Sequence, residues 1–366
     1  MRSSVDRRMV SAVGLAWLAG LWPGRPSAGI DQVQRAVSKV AADPALPGVI
    51  LRLETARGGQ SWTAGRLRRD GGPALRPGTP FHSASLGKLF TATAVLQQAE
   101  RGMLSLDDPV IAHLGAATLR GLAGADAPAI TLRDLLGHRS GLPVLDSNPH
   151  FQSAVLDAPT RIWTPQDLLG AARGLPPSGR PGTQSAYSST NYHLLGLVLE
   201  KVTGTAYARL IRQEILAPLG LSRTWHSAAE WPTARGAQLP VLHHYAGVMD
   251  LTGHHPSFEF ADGGFVSTAA DLTRFARLLA RGVPFADPGT WAQMIEAETP
   301  RPDGLHQALG PLVAWQGGAP RAALHGGFWG LGLKMDIAGG WACIAATGQA
   351  EHDPWPLIAN AQEAPR

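Results

Sequence analysis

The segment Phe81-His82-Ser83-Ala84-Ser85-Leu86-Gly87-Lys88, running into the largely apolar stretch Leu89 to Leu96, constrains this chain more than any other. It reads as a loop entering the first turn of a helix, and the helix is predicted to run to about Glu100, with Gly102 just beyond its end. Residues three apart share a helix face, so the Ser85 hydroxyl and the Lys88 amine can meet. A serine hydroxyl is a weak nucleophile until a neighbouring group takes its proton. A lysine becomes that group only where burial or another positive charge lowers its pKa. The free N–H groups and positive dipole end of a helix start also favour a developing negative charge. One short segment can therefore carry nucleophile, base and part of an oxyanion site.

A serine followed by lysine at this spacing is weak evidence by itself, and an ordinary surface lysine on an amphipathic helix accounts for it equally well. Lysine is scarce here, however. The chain has four (Lys39, Lys88, Lys201, Lys334) against 28 arginines, and only Lys88 has a serine three residues before it. Arginine cannot give up its proton at working pH, whereas lysine can.

The first 28 residues differ in kind from the rest. Met1 to Arg8 carries three arginines, Met9 to Trp22 is mostly apolar, and Pro26-Ser27-Ala28 is a small-residue stretch suited to cleavage. This is the layout of a secretory signal peptide, and the apolar run is short for a membrane span. The reading predicts a periplasmic or secreted protein with no stable membrane span once the leader is removed. Residues 1–28 hold four arginines and one aspartate, a net of +3, which leaves +1 of the formal +4. The basic balance therefore gives no ground for a nucleic-acid partner. Cys343 is the single cysteine, so no disulfide forms within the chain, and it sits in a strand-like run, Trp341 to Thr347.

At 366 residues, 44% hydrophobic and 16% charged, the chain can bury a large core. Apolar spacing predicts a helix over Ile30 to Ala42. Strands are predicted over Pro47 to Leu53 and Gln60 to Leu67, joined by a turn at Gly58-Gly59. Thr131, Thr164 before Pro165, and Thr268 read as helix N-caps. A helix is predicted from about Tyr192 to Val202, stopped by Gly204, and strands over Leu312 to Trp315, Ala322 to His325, Gly332 to Ile337 and Trp341 to Thr347. The pairs His243-His244 and His254-His255 lack acidic or cysteine partners at metal-ligand spacing and read as loop histidines, so no metal is predicted. No nucleophile elbow, phosphate loop, dinucleotide fingerprint or repeat is present.

Taken together, Ser85-Leu86-Gly87-Lys88, Tyr187-Ser188-Ser189 and His325-Gly326-Gly327 occur in the order of the three motifs of serine β-lactamases and penicillin-binding proteins. The flanks Ile130 to Pro143, Pro181-Gly182-Thr183, Tyr187 to Gly204 and Gly263 to Asp271 resemble that superfamily's class C branch, over roughly residues 45–350. The resemblance implies an α/β (α+β) fold of the β-lactamase/transpeptidase type. An antiparallel sheet from residues 29–100 and 259–366 would be flanked by helices, with a mainly helical lobe, 101–258, inserted. It implies a serine hydrolase working through a Ser85 acyl-enzyme. Lys88 and Tyr187 would manage protons, the Ser85 and Phe328 amides would form the oxyanion hole, and Ser189, His325, Gly326 and Gly327 would line the substrate site. No cofactor is implied.

Two positions depart from the commoner pattern. Ser189 stands where the family usually has an asparagine that contacts substrate and braces the lysine, and a hydroxyl offers one donor in place of two. His325 stands where most β-lactamases have lysine, and an imidazole near its ordinary pKa is largely neutral at pH 7. The substrate is accordingly expected to be a small ester or amide. A β-lactam or D-alanyl-D-alanine peptide is the alternative, and a non-catalytic penicillin-binding-like envelope protein the third reading.

Overall fold

The computed structural model describes residues 29–230, 240–296, 299–350 and 352–362. The leader proposed for residues 1–28 lies outside them.

The chain opens with helix α1 (Ile30–Val40), strands β1 (Gly48–Thr55), β2 (Gly58–Arg68) and β3 (Gly71–Ala74), and the short β4 (Phe81–His82). The β1–β2 reversal falls at Ala56-Arg57, not at Gly58-Gly59 as predicted. Gly58 instead begins β2 at φ 124°, a conformation open to glycine, and pairs with Thr55 across the hairpin. A single 3-10 turn, Ala84–Gly87, then feeds helix α2 (Lys88–Glu100).

Helices dominate the next stretch: α3 (Val110–Leu114), α4 (Leu132–Leu136), α5 (Pro149–Asp157), α6 (Pro165–Ala172), α7 (Ser189–Thr203) and α8 (Tyr207–Ile211). Thr131 and Thr164 make full capping boxes with Asp134 and Asp167. Gly204 closes α7 in the left-handed conformation at φ 63°. Beyond them lie β5 (Trp225–His226), α9 (Ser227–Glu230), and the hairpin β6 (Tyr245–Ala246) and β7 (Met249–Asp250). The chain returns through β8 (Phe265–Ser267), α10 (Ala269–Ala280, capped by Thr268) and α11 (Pro288–Ile295). It ends in β9 (Thr299–Pro300), β10 (Leu305–Gln307), β11 (Leu312–Gln316), β12 (Ala319–Gly327), β13 (Leu331–Asp336), β14 (Trp341–Ala346) and helix α12 (Trp355–Gln362).

Among the described residues, nine strands form one antiparallel sheet in the order β3-β2-β1-β14-β13-β12-β11-β10-β9. The two chain ends meet at its centre, where β1 pairs with β14 from Ile50 opposite Ala346 to Glu54 opposite Ala342. Val33, Val37, Leu357 and Ile358 from α1 and α12 cover one face over Val49, Leu51, Cys343 and Ala345, so the lone cysteine is a buried packing residue. The other face shares a core with α2, α7 and α10, through Ile50, Phe90, Tyr192, Phe275, Leu333 and Ile344.

Helix α2 is the axis of that core. It is apolar or small on every side, the mark of a helix buried all round. Its two threonine hydroxyls beyond the first turn are satisfied internally. Thr91 Oγ1 lies 2.6 Å from both the Tyr207 hydroxyl and the Ala261 carbonyl, and Thr93 Oγ1 donates to Leu89 O at 2.7 Å. The three-stranded sheet β4-β8-β5 then fixes the chain just before the 3-10 turn that starts α2.

Candidate active site

Ser85 lies in the 3-10 turn, not in the α-helix proper, and Lys88 is the first residue of α2. The turn is held under compression. Ala84 adopts φ 44°, a left-handed conformation that costs a residue with a side chain on the order of 1–2 kcal/mol. Gly263 presses on it from behind. A Cβ on Gly87 would come within 2.9 Å of the Gly263 Cα, and one on Gly263 within 2.9 Å of the Ala84 carbonyl carbon. Ser83 Oγ clamps the same junction by donating to Gly263 O at 2.9 Å. Both glycines are therefore required by backbone contact.

The turn brings the nucleophile and the lysine together as the spacing predicts. Lys88 is fully buried, and its ammonium donates at 3.0 Å to Ser85 Oγ, to Asp262 O and to Asp262 Oδ2. An ammonium has three donors, and all three are used. Burial by itself would lower the Lys88 pKa. The Asp262 carboxylate, helped by Tyr187 and Asp146, outweighs it and holds the amine protonated above its ordinary range.

Tyr187 reaches the same point from the loop before α7. Its ring is 41% exposed, its hydroxyl end is the buried part, and the ring centre lies 4.9 Å from Lys88 Nζ. Burial raises the phenol's pKa, while the positive charge of Lys88 and the nearby Ser85 hydroxyl work against that rise. His138, to which the sequence reading gave no role, supports this loop. Its ring stacks on Tyr187 with centroids 4.4 Å apart. Its carbonyl accepts the Ala186 N–H at 2.8 Å, and its Nδ1 faces Ser188 N–H and Asn191 Nδ2, both at 3.2 Å. Nδ1 is thus an acceptor, and burial keeps the imidazole neutral, well below its usual pKa. The only sequence signal for this was its place in the flank Ile130 to Pro143.

The remaining predicted residues divide. Ser189 is buried at the start of α7, three residues earlier than predicted for that helix, and its N–H donates to Asp146 Oδ2 at 3.1 Å. Asn191 is turned inward, with Oδ1 accepting from Ser140 Oγ at 2.6 Å, and serves the core. His325, Gly326 and Gly327 end β12, which runs beside the nucleophile turn: a Cβ on Gly327 would lie 3.0 Å from Ser83 O. Phe328 follows, 49% exposed, its ring 4.8 Å from that of Trp329. His325 Nδ1 donates to Gly326 O at 2.7 Å, and burial, with Lys88 nearby, lowers its pKa to about 4. The imidazole is therefore neutral at pH 7, with Nε2 as an acceptor. Of the histidine pairs, His243 faces Asp250 at 2.6 Å and His244 is buried against Trp329.

A further carboxyl lies beneath Lys88. Glu259 is buried, and its pKa is pushed up to about 8 by burial and by the adjacent Asp262 charge. Glu259 thus favours its protonated form near neutral pH, three residues from the Asp262 carboxylate that pairs with Lys88.

The family profile described as Beta-lactamase matches residues 33–355. This chain belongs to the Beta-lactamase family. A D-stereospecific amidohydrolase from Streptomyces sp. superimposes with a TM-score of 0.77 at 28% identity, covering 90% of this chain and 97% of that one. A penicillin-binding protein from Bacillus halodurans shares the fold, with a TM-score of 0.75 at 21% identity over 90% of this chain and 98% of its own. Among curated sequences, Penicillin-binding protein 4 of Amycolatopsis lactamdurans is 30% identical over 223 residues, 59% of this chain and 54% of that protein. Protein flp of Staphylococcus aureus (strain N315) is 32% identical over 148 residues, and the chain spans only 28% of its length. The mixed α/β fold with its antiparallel sheet is the one the three motifs implied.

Proposed function

We infer that the protein is a serine hydrolase that cleaves small esters or amides lacking a carboxylate next to the scissile bond, through a Ser85 acyl-enzyme. The observation that carries this reading is His325. A neutral imidazole whose Nδ1–H is already donated to Gly326 O presents an acceptor at the strand edge, and an acceptor repels a substrate carboxylate. The exposed rings of Tyr187 and Phe328 support an apolar acyl group. The 28% identity to a D-stereospecific amidohydrolase across nearly its whole length supports amide as well as ester cleavage.

In this mechanism the Lys88 ammonium cannot act as a base, because all its protons are held. Tyr187, as phenolate, takes the Ser85 proton while Oγ bonds to the carbonyl carbon. The carbonyl oxygen gathers negative charge in front of the Ser85 and Phe328 N–H groups. The bond to the leaving alcohol or amine breaks, and that group leaves with the proton from Tyr187. Water then adds to the acyl carbon, passing its proton to Tyr187. The Ser85–acyl bond breaks, the carboxylic acid departs and Ser85 recovers its proton. Ser189, Gly326 and Gly327 line the acyl side, and residues 1–28 direct export to the periplasm or beyond.

The second reading, a penicillin-binding or D-alanyl-D-alanine peptidase site, draws on the 30% identity to Penicillin-binding protein 4. One experiment separates the two: intact mass after mixing with benzylpenicillin, with nitrophenyl-ester turnover followed in the same sample. Steady ester turnover, lost in Ser85→Ala and unaffected by penicillin, is the expected result. A lasting penicillin adduct at Ser85 that stops ester turnover would overturn it. Mass spectrometry of the N-terminus of protein recovered from the cell envelope or medium tests export, with cleavage after Ala28 expected.

A further inference from the structure

We propose that Asp262 is a positioning residue for catalysis: its carboxylate and its own carbonyl fix Lys88 as an ammonium aimed at Ser85. Two of the three Lys88 donors go to this one residue, at 3.0 Å each, and only the third reaches the nucleophile. Ser189, from the second motif, makes none of these contacts, and its N–H is held by Asp146. Asp262 is itself placed by its N–H to the Glu259 carbonyl at 2.9 Å and by the Gly263 backbone locked against Ala84 and Ser83. The loop that compresses the nucleophile turn thus also delivers the anion that orients its lysine.

The consequence is a division of labour. With Asp262 present, Lys88 stays charged across the working range, donates to Ser85 Oγ and stabilises phenolate on Tyr187. Without it, a buried lysine loses its proton more readily. The groups facing this pair are Ser85, Tyr187 and Tyr192, whose ring centre is 5.5 Å from Lys88 Nζ, together with Asp146, His138, His193, His325 and Glu259. The three histidines are neutral through burial, Asp146 already adds a more distant negative charge, and Glu259 can take over an anionic role when Asp262 is removed.

The inference rests on the serine-hydrolase reading for its kinetic half only. The test uses the full chain as wild type, Asp262→Asn, Asp262→Glu and the double variant Asp262→Asn/Glu259→Gln. The Lys88 ammonium is titrated by NMR in protein labelled at lysine Nζ, assigned with Lys88→Arg; four lysines keep the spectrum simple. The expected result is a wild-type signal that does not titrate below the free-lysine range, and a titration lower by at least about one pH unit in Asp262→Asn, further still in the double variant. With a nitrophenyl ester, kcat falls about 100-fold in Asp262→Asn with KM within about threefold, a new descending alkaline limb appears, and Asp262→Glu recovers part of the rate. Unchanged Lys88 titration, or a rate lowered evenly at every pH with the same limbs, would overturn the proposal. If Asp262→Asn does not fold, Asp262→Ser removes the same charge and carries the comparison. If the wild type turns over no ester or amide, the hydrolase reading fails, while the Lys88 titration still decides the role of Asp262.

Discussion

His138 holds Tyr187 from three directions: its ring lies against the phenol with centroids 4.4 Å apart, its carbonyl takes the N–H of Ala186, and its Nδ1 takes the N–H of Ser188. The residues on both sides of Tyr187 are thus pinned to one buried residue, Ala186 through its carbonyl and Ser188 through its imidazole. His138→Ala leaves the Ser188 N–H and the Asn191 amide without an acceptor, at about 1–3 kcal/mol. Urea unfolding should show that loss, and kcat should fall at least about tenfold as the phenol loses its support, with KM little changed.

Tyr187→Phe should lower kcat about 10² to 10⁴-fold, since the hydroxyl proposed as general base is removed while the ring stays. In the wild type, burial raises the Tyr187 pKa, so the base form grows as pH rises. Between pH 6 and 10, kcat/KM should therefore climb as one proton is lost, with no plateau. A pH profile that levels off near 7 would assign the base elsewhere.

Two glycine substitutions should have opposite signs. Gly87→Ala drives a Cβ to 2.9 Å from the Gly263 Cα, where only backbone can yield, and should cost about 1–3 kcal/mol and most of the activity. Gly170→Ala, exposed on α6 with nothing within 4 Å, should stabilise by about 0.5–1 kcal/mol and leave kcat unchanged. Thermal melts of the two variants check the contrast.

Glu259 makes stability depend on pH. Its folded pKa, about 8, stands above the ordinary 4.5, so the folded state keeps a proton that the unfolded chain has lost. Its contribution is fully present below about pH 4.5 and is lost as pH rises toward 8, at about 1.4 kcal/mol per unit. Glu259→Gln should flatten this slope, and Tm measured from pH 5 to 9 should converge at the acid end and separate at the alkaline end.

Ser189→Asn tests whether the short side chain disfavours β-lactams. A second donor at that position should raise the rate of Ser85 acylation by benzylpenicillin, read by intact mass, and an unchanged or lower rate would remove Ser189 from the account of specificity.

Features encoded by local chemistry were legible in the sequence. Thr131, Thr164 and Thr268 cap their helices, Gly204 ends α7, and β11 to β14 lie where apolar runs and glycine turns put them. The Ser85–Lys88 contact follows from a spacing of three. The misreadings come from choices that local chemistry leaves open. Gly58-Gly59 suits a turn as well as a strand start, and pairing with Thr55 decides for the strand. Asp262 precedes two glycines and drew no site reading from the sequence; its bond to Lys88 joins residues 174 apart, and no local pattern contains it. His138 was hidden likewise, since its value lies in a loop about 50 residues downstream.

The central pairing of β1 with β14 has a consequence for how the protein matures. Ser85, Tyr187, Asp262 and His325 come from four distant parts of a chain whose first and last strands must meet before the sheet closes. Contacts of such sequence separation form late and slowly. In a refolding experiment the return of hydrolysis should trail the return of helical signal, so that catalytic turnover serves as a clock for the final closure of the sheet.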